Sequence, residues 1–247
     1  MHYRFLDWTR HFIRQLPAAL PSSCALCGVS GADSLCHNCN TRFFGQHPHR
    51  CAQCAAPLAY ISDNLERCGN CLSNPPAFDA TIVASDYTAP VDQLVLALKF
   101  GNRLALAPLF ARKLRDAILR EPAFAMPALL AAVPLSEKRL AERGFNQALE
   151  IAKPLARAIA IPLAPQLIER TRDTLMQAML PTAERHRNIR HAFALPANAI
   201  KFVRGQHIGL VDDVLTTGET LNEIAATLKR HGAVRVTNLV FARTPHK

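Results

Sequence analysis

The segment Ile208–Leu221 (IGLVDDVLTTGETL) constrains the fold of this chain more than any other. Its first residues, Ile208–Val211, are apolar or small, which is typical of a central strand of a parallel sheet that is buried on both faces. Two acids follow, and we expect them at the carboxyl end of the strand, where open α/β sheets bind ligands. From Leu221 onwards, apolar residues recur at helical spacing up to His231-Gly232, a typical helix stop. The segment therefore predicts a strand, a tight turn and a helix.

The turn between this strand and helix is rich in hydroxyl groups and contains a glycine. Backbone amides at the start of a helix and the positive end of its dipole favour an anion at the same place. We expect a 5′-phosphate to be held there by Thr216, Thr217, Gly218, Glu219 and Thr220. Asp212 and Asp213 lie directly upstream and are predicted to accept hydrogen bonds from two vicinal ribose hydroxyls. The pattern is neither a nucleotide P-loop nor a dinucleotide fingerprint, since no Gly-Lys-Ser/Thr follows and no G-x-G-x-x-G is present.

The run Asp-Asp-x-x-Thr-Thr-Gly-x-Thr-Leu after an apolar strand resembles the 5-phosphoribosyl-1-pyrophosphate (PRPP) motif of type I phosphoribosyltransferases. A buried strand with an acidic loop and no ligand is the alternative. Acids, hydroxyls, glycine and flanking elements all agree with the ligand site. Glu219 departs from the motif, because many such enzymes carry a small residue at this position. Its amide can still donate a hydrogen bond, and its carboxylate is expected to point away from the phosphate.

Length and charge limit the class of protein. The chain has 247 residues, enough for one α/β domain and a small additional module, and its net charge of +10 favours phosphate-rich partners: nucleotides, nucleic acid or an anionic membrane surface. No apolar run is long enough to span a bilayer, and the N-terminus lacks the continuous apolar region of a signal peptide. We therefore expect a cytoplasmic protein. An amphipathic helix predicted at Tyr3–Leu16 packs on its own domain or, alternatively, contacts a membrane surface or a partner protein.

All eight cysteines lie in four C-x-x-C pairs near the N-terminus. Two thiolates at this spacing bind a tetrahedral zinc ion, and two pairs complete a closed structural site. Disulfides and redox-active pairs are weaker interpretations, since cytoplasmic thiols stay reduced and a redox C-x-x-C normally occurs once. Consecutive pairing predicts two zinc ions, one bound by Cys24, Cys27, Cys36 and Cys39 and one by Cys51, Cys54, Cys68 and Cys71.

Two details of this cysteine block stay open. The loops within the two predicted sites are short, 8 and 13 residues, so crossed pairing of the C-x-x-C motifs is the alternative. His37, His47 and His49 lie nearby, and with eight thiolates available we expect them to be surface residues. The block ends at Asn74-Pro75-Pro76, which is typical of a linker. We therefore divide the chain into an N-terminal helix (1–20), a double zinc-ribbon module (21–74) and a phosphoribosyltransferase-like domain (75–247).

The segment Val133–Gln147 gathers cations behind a predicted buried strand. Lys138, Arg139 and Arg143 fall in one loop and helix start, where guanidinium groups can bind pyrophosphate bidentately. Acidic residues interleave with them, so a solvated helix end of mixed charge is the alternative. Further on, Pro154 lies inside a predicted helix and is expected to kink or shorten it. We also predict strands at 78–87, 128–133 and 234–241 and helices at 90–99 and 104–119.

The pattern V-P-L-x-x-x-R-L-x-x-R-G-F-N-Q in Val133–Gln147, with the PRPP-like loop and the four C-x-x-C pairs, resembles the ComF family. Leu98-Lys99-Phe100-Gly101 and Arg185-x-Arg187-Asn188 match as well, so the resemblance spans about Pro21 to Arg243. It implies a type I phosphoribosyltransferase fold, a parallel sheet flanked by helices, with an N-terminal zinc-binding module. It also implies a role in natural competence, the uptake and cytoplasmic handling of transforming single-stranded DNA.

The resemblance further implies that a mobile region covers the active site at 170–190. Its arginines can neutralise pyrophosphate or follow a nucleic-acid backbone. They are Arg170, Arg172, Arg185, Arg187 and Arg190. A solvated loop and helix is the alternative. Bases of single-stranded DNA usually need aromatic platforms, and Phe193 is the one aromatic residue close by, which argues against a DNA groove made by this segment alone.

Three functions stay open from the sequence. The first is an active phosphoribosyltransferase that binds PRPP with Mg²⁺ and transfers the ribosyl group to an unidentified acceptor. The second is a competence factor that binds a nucleotide or a DNA end without turnover. The third is a scaffold at the inner membrane face, docked on the DNA-uptake machinery through its zinc module and N-terminal helix.

Overall fold

The computed structural model describes residues 22–46, 48–58, 66–121, 124–171 and 191–245. It divides the chain into two compact units, residues 1–46 and 47–247. The sequence-based boundaries after residues 20 and 74 stay a prediction. Several other predictions lie outside the described residues, namely those on Tyr3–Leu16, His47, Arg172, Arg185, Arg187 and Arg190.

The first unit is built from very short elements. Strand β1 (Ser22–Ser23) pairs antiparallel with β2 (Ser30–Gly31), and helix α1 (His37–Phe44) follows. The thiol sulfur of Cys36 caps α1 by accepting a hydrogen bond from the Cys39 amide at 3.5 Å. Among the described residues of this unit, the buried apolar side chains are Cys24, Leu35, Cys39 and Phe44. This small set gives metal binding by the cysteines a large share in stabilising the part of the unit that the structure describes.

The second unit alternates strands and helices, as predicted for an α/β domain. Its strands are β3 (Ala80–Asp86), β4 (Leu129–Ala132), β5 (Glu169–Arg170), β6 (Phe193–Ala194), β7 (His207–Leu215) and β8 (Arg235–Arg243). Its α-helices are α2 (Gly69–Ser73), α3 (Val91–Phe100), α4 (Ala107–Leu119), α5 (Glu137–Arg143), α6 (Gln147–Ala158) and α7 (Glu219–Arg230). Short 3₁₀ helices cover Leu104–Leu106 and Ala197–Phe202.

The core of the second unit is a four-stranded parallel sheet in the order β3-β8-β7-β4. Every residue of β8 after Arg235 is buried, so both faces of the sheet are covered. Helices α4 and α6 pack on each other and on the sheet, and α7 packs against β8. The ring of Phe110 in α4 stacks on that of Phe241 in β8, with centroids 3.6 Å apart. The predicted parallel sheet with flanking helices is confirmed.

Close packing at the middle of the sheet explains a glycine in β7. A Cβ atom on Gly209 would lie 2.6 Å from the side chain of Leu130 and 2.9 Å from that of Pro127. Leu130 belongs to β4, whose residues pair in register with those of β7. The absence of a side chain at Gly209 therefore lets the neighbouring strand and the segment before it approach closely.

The structure changes the bounds of one predicted strand. The strand predicted at Ile208–Val211 continues to Leu215, so both acids lie in the carboxyl-terminal half of β7 rather than at its last residues. The alternating burial of the residues after Val211 explains this, because a strand can continue when every second side chain still points into the core. Helix α6 runs on through Pro154 to Ala158, so the proline does not shorten the helix at that point, and a kink there stays a prediction. Among the described residues, we find no helix with the length and apolar character that a membrane crossing requires.

Candidate functional site

The chain turns sharply between β7 and α7. Gly218 precedes α7 with a φ of +87°, a left-handed conformation that glycine adopts without strain. The amides of the first helical turn and the helix dipole favour an anion at this turn. A small open cavity lies here, lined by Asp212, Val214, Leu215, Thr216, Gly218, Glu219, Thr220 and Leu221. Four of the five residues predicted to hold the phosphate, all except Thr217, therefore line the same cavity as Asp212.

The two acids of β7 have different surroundings. Asp212 is half-buried and lines the cavity, whereas Asp213 is buried, with 3% of its surface exposed. Burial raises the pKa of Asp212 well above its usual range, the charge of Asp213 raises it further, and the Lys99 ammonium opposes both. The prediction assigned both acids to ribose hydroxyls, but among the two only Asp212 lines the cavity.

Lys99, the penultimate residue of α3, is the ionic partner of Asp213. Its Nζ atom lies 2.8 Å from Oδ2 of Asp213, and its side chain is 22% exposed. The other carboxylate oxygen, Oδ1, accepts a hydrogen bond from the Val214 amide at 2.8 Å. Burying a carboxylate is costly unless a cation and hydrogen bonds compensate it, and both are present here. The pair therefore fixes the end of α3 against the end of β7.

The cationic helix predicted after β4 is present as α5. The hydroxyl of Ser136 caps its start by accepting from the Arg139 amide at 3.4 Å, and Gly144 ends it in the left-handed conformation. The Arg143 guanidinium lies 5.3 Å from the centre of the Phe100 ring and donates a hydrogen bond to the Gln147 side chain. Burial lowers the pKa of Arg143, and the negative charge of Asp213 opposes this shift.

The structure thus brings Arg143 into the electrostatic neighbourhood of Asp213 and onto the end of α3. Arg139 also acts on Arg143, since its positive charge adds to the lowering of the Arg143 pKa. Lys138 is exposed on the outer side of the same helix and has no role in this group that the described contacts reveal. Of the three predicted pyrophosphate ligands, Arg143 is therefore the one best placed beside the acids.

The sequence prediction missed Lys99 and Phe100 as site residues. Both belong to the Leu98–Gly101 run that resembles the ComF family, but the run alone gave no chemical role. Their roles come from packing: Lys99 pairs with an acid on β7, and Phe100 lies under a guanidinium of α5. The ring is 72% exposed, an unusual position for a large aromatic residue. The signal available in the sequence was a lysine followed by an aromatic residue and a glycine at a predicted helix end.

The eight cysteines form two groups of four, with the consecutive pairing that was predicted. In each group, the four sulfur atoms lie within 4.8 Å of one another. The sulfurs of Cys27 and Cys36 are 3.7 Å apart, and those of Cys54 and Cys68 are 3.6 Å apart. Zinc–sulfur bonds of about 2.3 Å in a tetrahedron place the sulfurs about 3.8 Å apart, so both groups fit zinc. His37 and His49 are exposed and belong to neither group.

The second cysteine group has the backbone environment of a metal site. The sulfur of Cys51 accepts hydrogen bonds from the amides of Cys54 at 3.5 Å and Cys68 at 3.3 Å. Burial opposes ionisation of Cys51, but these amides and that of Gln53 lower its pKa to about 7. Burial raises the pKa of Cys54 to about 11. Cys51 is thus stabilised as a thiolate by its backbone environment, whereas Cys54 needs a bound cation to ionise.

The second cysteine group is joined to the parallel sheet by polar contacts. The Arg243 guanidinium, at the end of β8, lies 3.9 Å from the sulfur of Cys54. Arg50 forms a 2.9 Å ion pair with Asp86 at the end of β3. The Gln53 side-chain amide donates to the Phe78 carbonyl at 3.0 Å, and the backbone carbonyl of Gln53 accepts from the Thr81 hydroxyl at 2.7 Å. This group is therefore part of the unit that carries the phosphate cradle.

The start and end of the arginine-rich segment are described. Strands β5 and β6 pair antiparallel, and the Arg170 guanidinium lies 5.5 Å from the centre of the Phe193 ring. At the end of the segment, just before β6, the amide of His191 donates a hydrogen bond to the Glu223 carboxylate on α7 at 3.0 Å. These contacts fix both ends of the predicted active-site cover to the body of the domain.

Comparison with protein families supports both parts of this description. The phosphoribosyl transferase domain model matches residues 146–247, and the double zinc ribbon domain model matches residues 16–72. The second match, together with the sulfur geometry and the closed all-cysteine donor sets, identifies both groups as structural zinc sites.

Comparison with individual proteins extends over most of the chain. DNA utilization protein YhgH of Salmonella typhimurium is 37% identical over 231 residues, which cover 91% of this chain and 98% of that protein. Competence protein F of Haemophilus influenzae is 32% identical over 208 residues, 83% of this chain and 88% of that protein. Among solved structures, the allosteric regulatory enzyme of purine biosynthesis superposes with a TM-score of 0.35 and 21% identity, over 54% of this chain and 25% of that one.

Proposed function

We propose that this chain, which belongs to the ComF family of competence protein F and DNA utilization protein YhgH, binds PRPP with Mg²⁺ and acts in the uptake and cytoplasmic handling of transforming single-stranded DNA. The observation that carries this proposal is the shared cavity of the cradle after β7 and the Asp212 carboxylate. A phosphate-binding turn and a hydroxyl-binding acid at that spacing suit a ribose 5-phosphate group. The names of the relatives support the link to DNA.

Each part of PRPP has a proposed place. The 5-phosphate binds the amides and hydroxyls of Thr216–Thr220. Asp212 accepts hydrogen bonds from the ribose hydroxyls. Asp213 does not contact the sugar in this proposal; it anchors Lys99, with which it forms a 2.8 Å ion pair. This division of labour follows from the burial of Asp213 and from the exposure of Asp212 to the cavity.

The pyrophosphate group is proposed to lie on the opposite side of the acids, toward α3 and α5. Arg143 is the main ligand, because its guanidinium is half-buried beside Asp213 and is held over the Phe100 ring. Arg139 lies on the same helix and adds positive charge. Asp212 would be a ligand of Mg²⁺ bound with PRPP, because its carboxylate is the kind of oxygen ligand that this ion prefers, and the ion would supply positive charge to the pyrophosphate.

If the protein turns PRPP over, the reaction is displacement of pyrophosphate at C1 of the ribose by a nucleophile. Positive charge then develops on the sugar and negative charge on the leaving group. In this arrangement, Asp212 lies on the sugar side and stabilises the positive charge of the sugar. Arg143 lies on the leaving-group side and stabilises the negative charge of the pyrophosphate.

Calorimetric titration of PRPP with Mg²⁺ tests the binding. Wild type is expected to bind, Asp212→Asn to lose most of the binding, and Asp116→Asn to bind as wild type does. Asp116 is a matched control because it is a half-buried, ion-paired carboxylate on α4, outside the cavity. Absence of binding to the wild type, with both zinc ions present, would refute the proposed site.

Two assays separate binding from turnover and from DNA handling. Pyrophosphate release from PRPP across a panel of acceptors reports transfer; release above background with one acceptor establishes an enzyme. Gel shifts with single-stranded DNA at increasing salt report nucleic-acid binding, whose affinity should fall steeply with salt. A protein that binds PRPP but gives no shift at low salt would contradict a direct role in DNA handling.

A further inference from the structure

A second cavity adjoins the phosphate cradle on the side of the second zinc site. It has a volume of about 450 Å³, which is within the usual range of small-molecule sites. One wall comes from the turn before α7 and the start of that helix, and the other from α2 and the linker that follows it. The whole cavity lies in the unit 47–247.

The turn Thr216–Gly218 and the start of α7 stand between the two cavities. Leu215, Gly218 and Glu219 line both, while Asp212 lines only the first and Thr217 lines the second. A phosphate on the cradle would therefore lie next to the second cavity as well as the first. Ribose 5-phosphate has its phosphate at one terminus and leaves the second cavity empty, so a monoester occupies only the smaller of the two cavities that the loop borders.

The second cavity offers groups that suit a nucleoside. Three carboxamide side chains, Asn70, Asn74 and Asn222, line it, and each can donate and accept hydrogen bonds as base edges require. Asn222 is held in place because its Oδ1 accepts from the Ala77 amide at 2.6 Å. Phe78, with 3% of its surface exposed, and two prolines provide apolar surface for a ring.

A cation lies in the wall of this cavity. Arg243 is 2% exposed, lines the cavity and lies against Cys54 of the second zinc site. Its positive charge offsets part of the negative charge of the zinc–thiolate group on this side of the cavity. The cavity is therefore polar and of moderate size, and it shares the lining residues Leu215, Gly218 and Glu219 with the cavity at the anion cradle.

We propose that the cradle binds the internal phosphate of a phosphodiester, with the 3′-terminal nucleotide of a nucleic-acid strand on the Asp212 side and the preceding nucleoside in the second cavity. This inference rests on the proposed phosphate site and specifies its ligand. The terminal ribose, or deoxyribose, keeps a free 3′-hydroxyl for Asp212, and the phosphate links its 5′-oxygen to the 3′-oxygen of the nucleoside before it. A strand end, rather than a free sugar phosphate, fills both cavities.

Competition binding with two probes tests this ligand. One is ribose 5-phosphate, and the other is the dinucleoside monophosphate ApA. ApA carries the smaller negative charge, so simple charge attraction favours ribose 5-phosphate. The wild type is nevertheless expected to bind ApA at least about tenfold more tightly than ribose 5-phosphate. The deoxy form of the same dinucleotide serves as a third probe and shows whether the 2′-hydroxyl contributes to binding.

Asn74→Trp should fill the second cavity from the exposed linker, abolish the preference for ApA and leave ribose 5-phosphate binding unchanged. Asn222→Ala should weaken ApA binding alone, and zinc content and circular dichroism check that both variants are folded. Equal affinity for both probes in the wild type, or equal weakening of both by Asn74→Trp, would overturn the inference while the phosphate site stands. Failure of the wild type to bind either probe or PRPP would overturn the phosphate site as well.

Discussion

The guanidinium group of Arg243 lies 3.9 Å from the thiol sulfur of Cys54, although 189 positions separate the two residues. One belongs to the last strand of the sheet and the other to the second zinc site. Burial lowers the pKa of Arg243, while the sulfurs of Cys54, Cys68 and Cys51 favour its charged form. A four-thiolate zinc site carries net negative charge, so this arginine balances the site from the sheet side.

Arg243→Met should therefore weaken zinc binding at the second site about tenfold, as loss of an outer-shell partner of a metal ligand typically does. A competing chelator with a colorimetric zinc readout measures the change. Arg235→Met is the matched control, since Arg235 is an exposed arginine at the start of the same strand. Equal zinc retention in both variants would show that Arg243 serves packing alone.

Lys99→Met should destabilise the fold by about 3 kcal/mol, because it leaves the buried Asp213 carboxylate without its cation. Urea unfolding measures the free energy. Asp213→Asn added to Lys99→Met should restore part of the loss, since no buried charge then remains. Lys113→Met removes the partner of a more exposed acid, Asp116, and should cost at most about 1 kcal/mol. A cost for Lys99→Met within that range would argue against a buried, compensated pair.

Asp212→Asn should stabilise the ligand-free protein at neutral pH. The folded-state pKa of Asp212 is raised above its unfolded value, so the folded state binds more protons than the unfolded state. Stability is then greatest below the unfolded pKa and declines as pH rises through the window between the two. An amide does not ionise, and we expect a rise in Tm of roughly 2–4 °C, which corresponds to about 1 kcal/mol in a domain of this size. A variant that melts below wild type at pH 7 would contradict this account.

The same carboxyl group should make ligand binding depend on pH. Ionised Asp212 accepts hydrogen bonds from hydroxyls, so affinity for PRPP with Mg²⁺ should increase as pH rises through its raised pKa. Calorimetry in buffers between about pH 5.5 and 8.5 follows this change. In Asp212→Asn the slope should disappear along with most of the affinity. A wild-type affinity that is flat across this range would exclude titration of Asp212 from the binding step.

The two zinc sites should respond differently to loss of a ligand. Metal analysis of the wild type should give two zinc ions per chain. Cys36→Ser should remove the ion of the unit 1–46 and leave the main unfolding transition in place. Cys68→Ser should lower the midpoint of that transition, because its site shares the unit 47–247 with the sheet. Equal effects of the two substitutions on the main transition would contradict the division into units.

The local pattern predicted those features that depend on neighbours in sequence. Apolar residues, acids, threonines and Gly218 are contiguous, and they became the strand, turn and helix that they indicated. The C-x-x-C spacing likewise gave both zinc sites, because a tight turn brings the thiols together. The end of β7 was not predicted correctly because acids usually end an apolar strand. Here the buried carboxylate of Asp213 is compensated by Lys99, which belongs to another element.

Features that depend on tertiary packing could not be predicted from the sequence. The different roles of Asp212 and Asp213 follow from which face of β7 each occupies and from the position of Lys99 at the end of α3. The choice of Arg143 over Lys138 follows from the orientation of α5 relative to the Phe100 ring. The contact of Arg243 with Cys54 joins distant parts of the chain and leaves no local signal.

The boundary between residues 46 and 47 has a consequence for a cell that is short of zinc. The first site includes the exposed Cys27, whereas none of the four cysteines of the second site is exposed. An ion in the first site is therefore the easier one for other proteins to withdraw. When zinc is scarce, the chain would lose the ion of its first site and retain the ion of the second site, which belongs to the unit with the phosphate cradle. The two sites would therefore lose zinc in a fixed order.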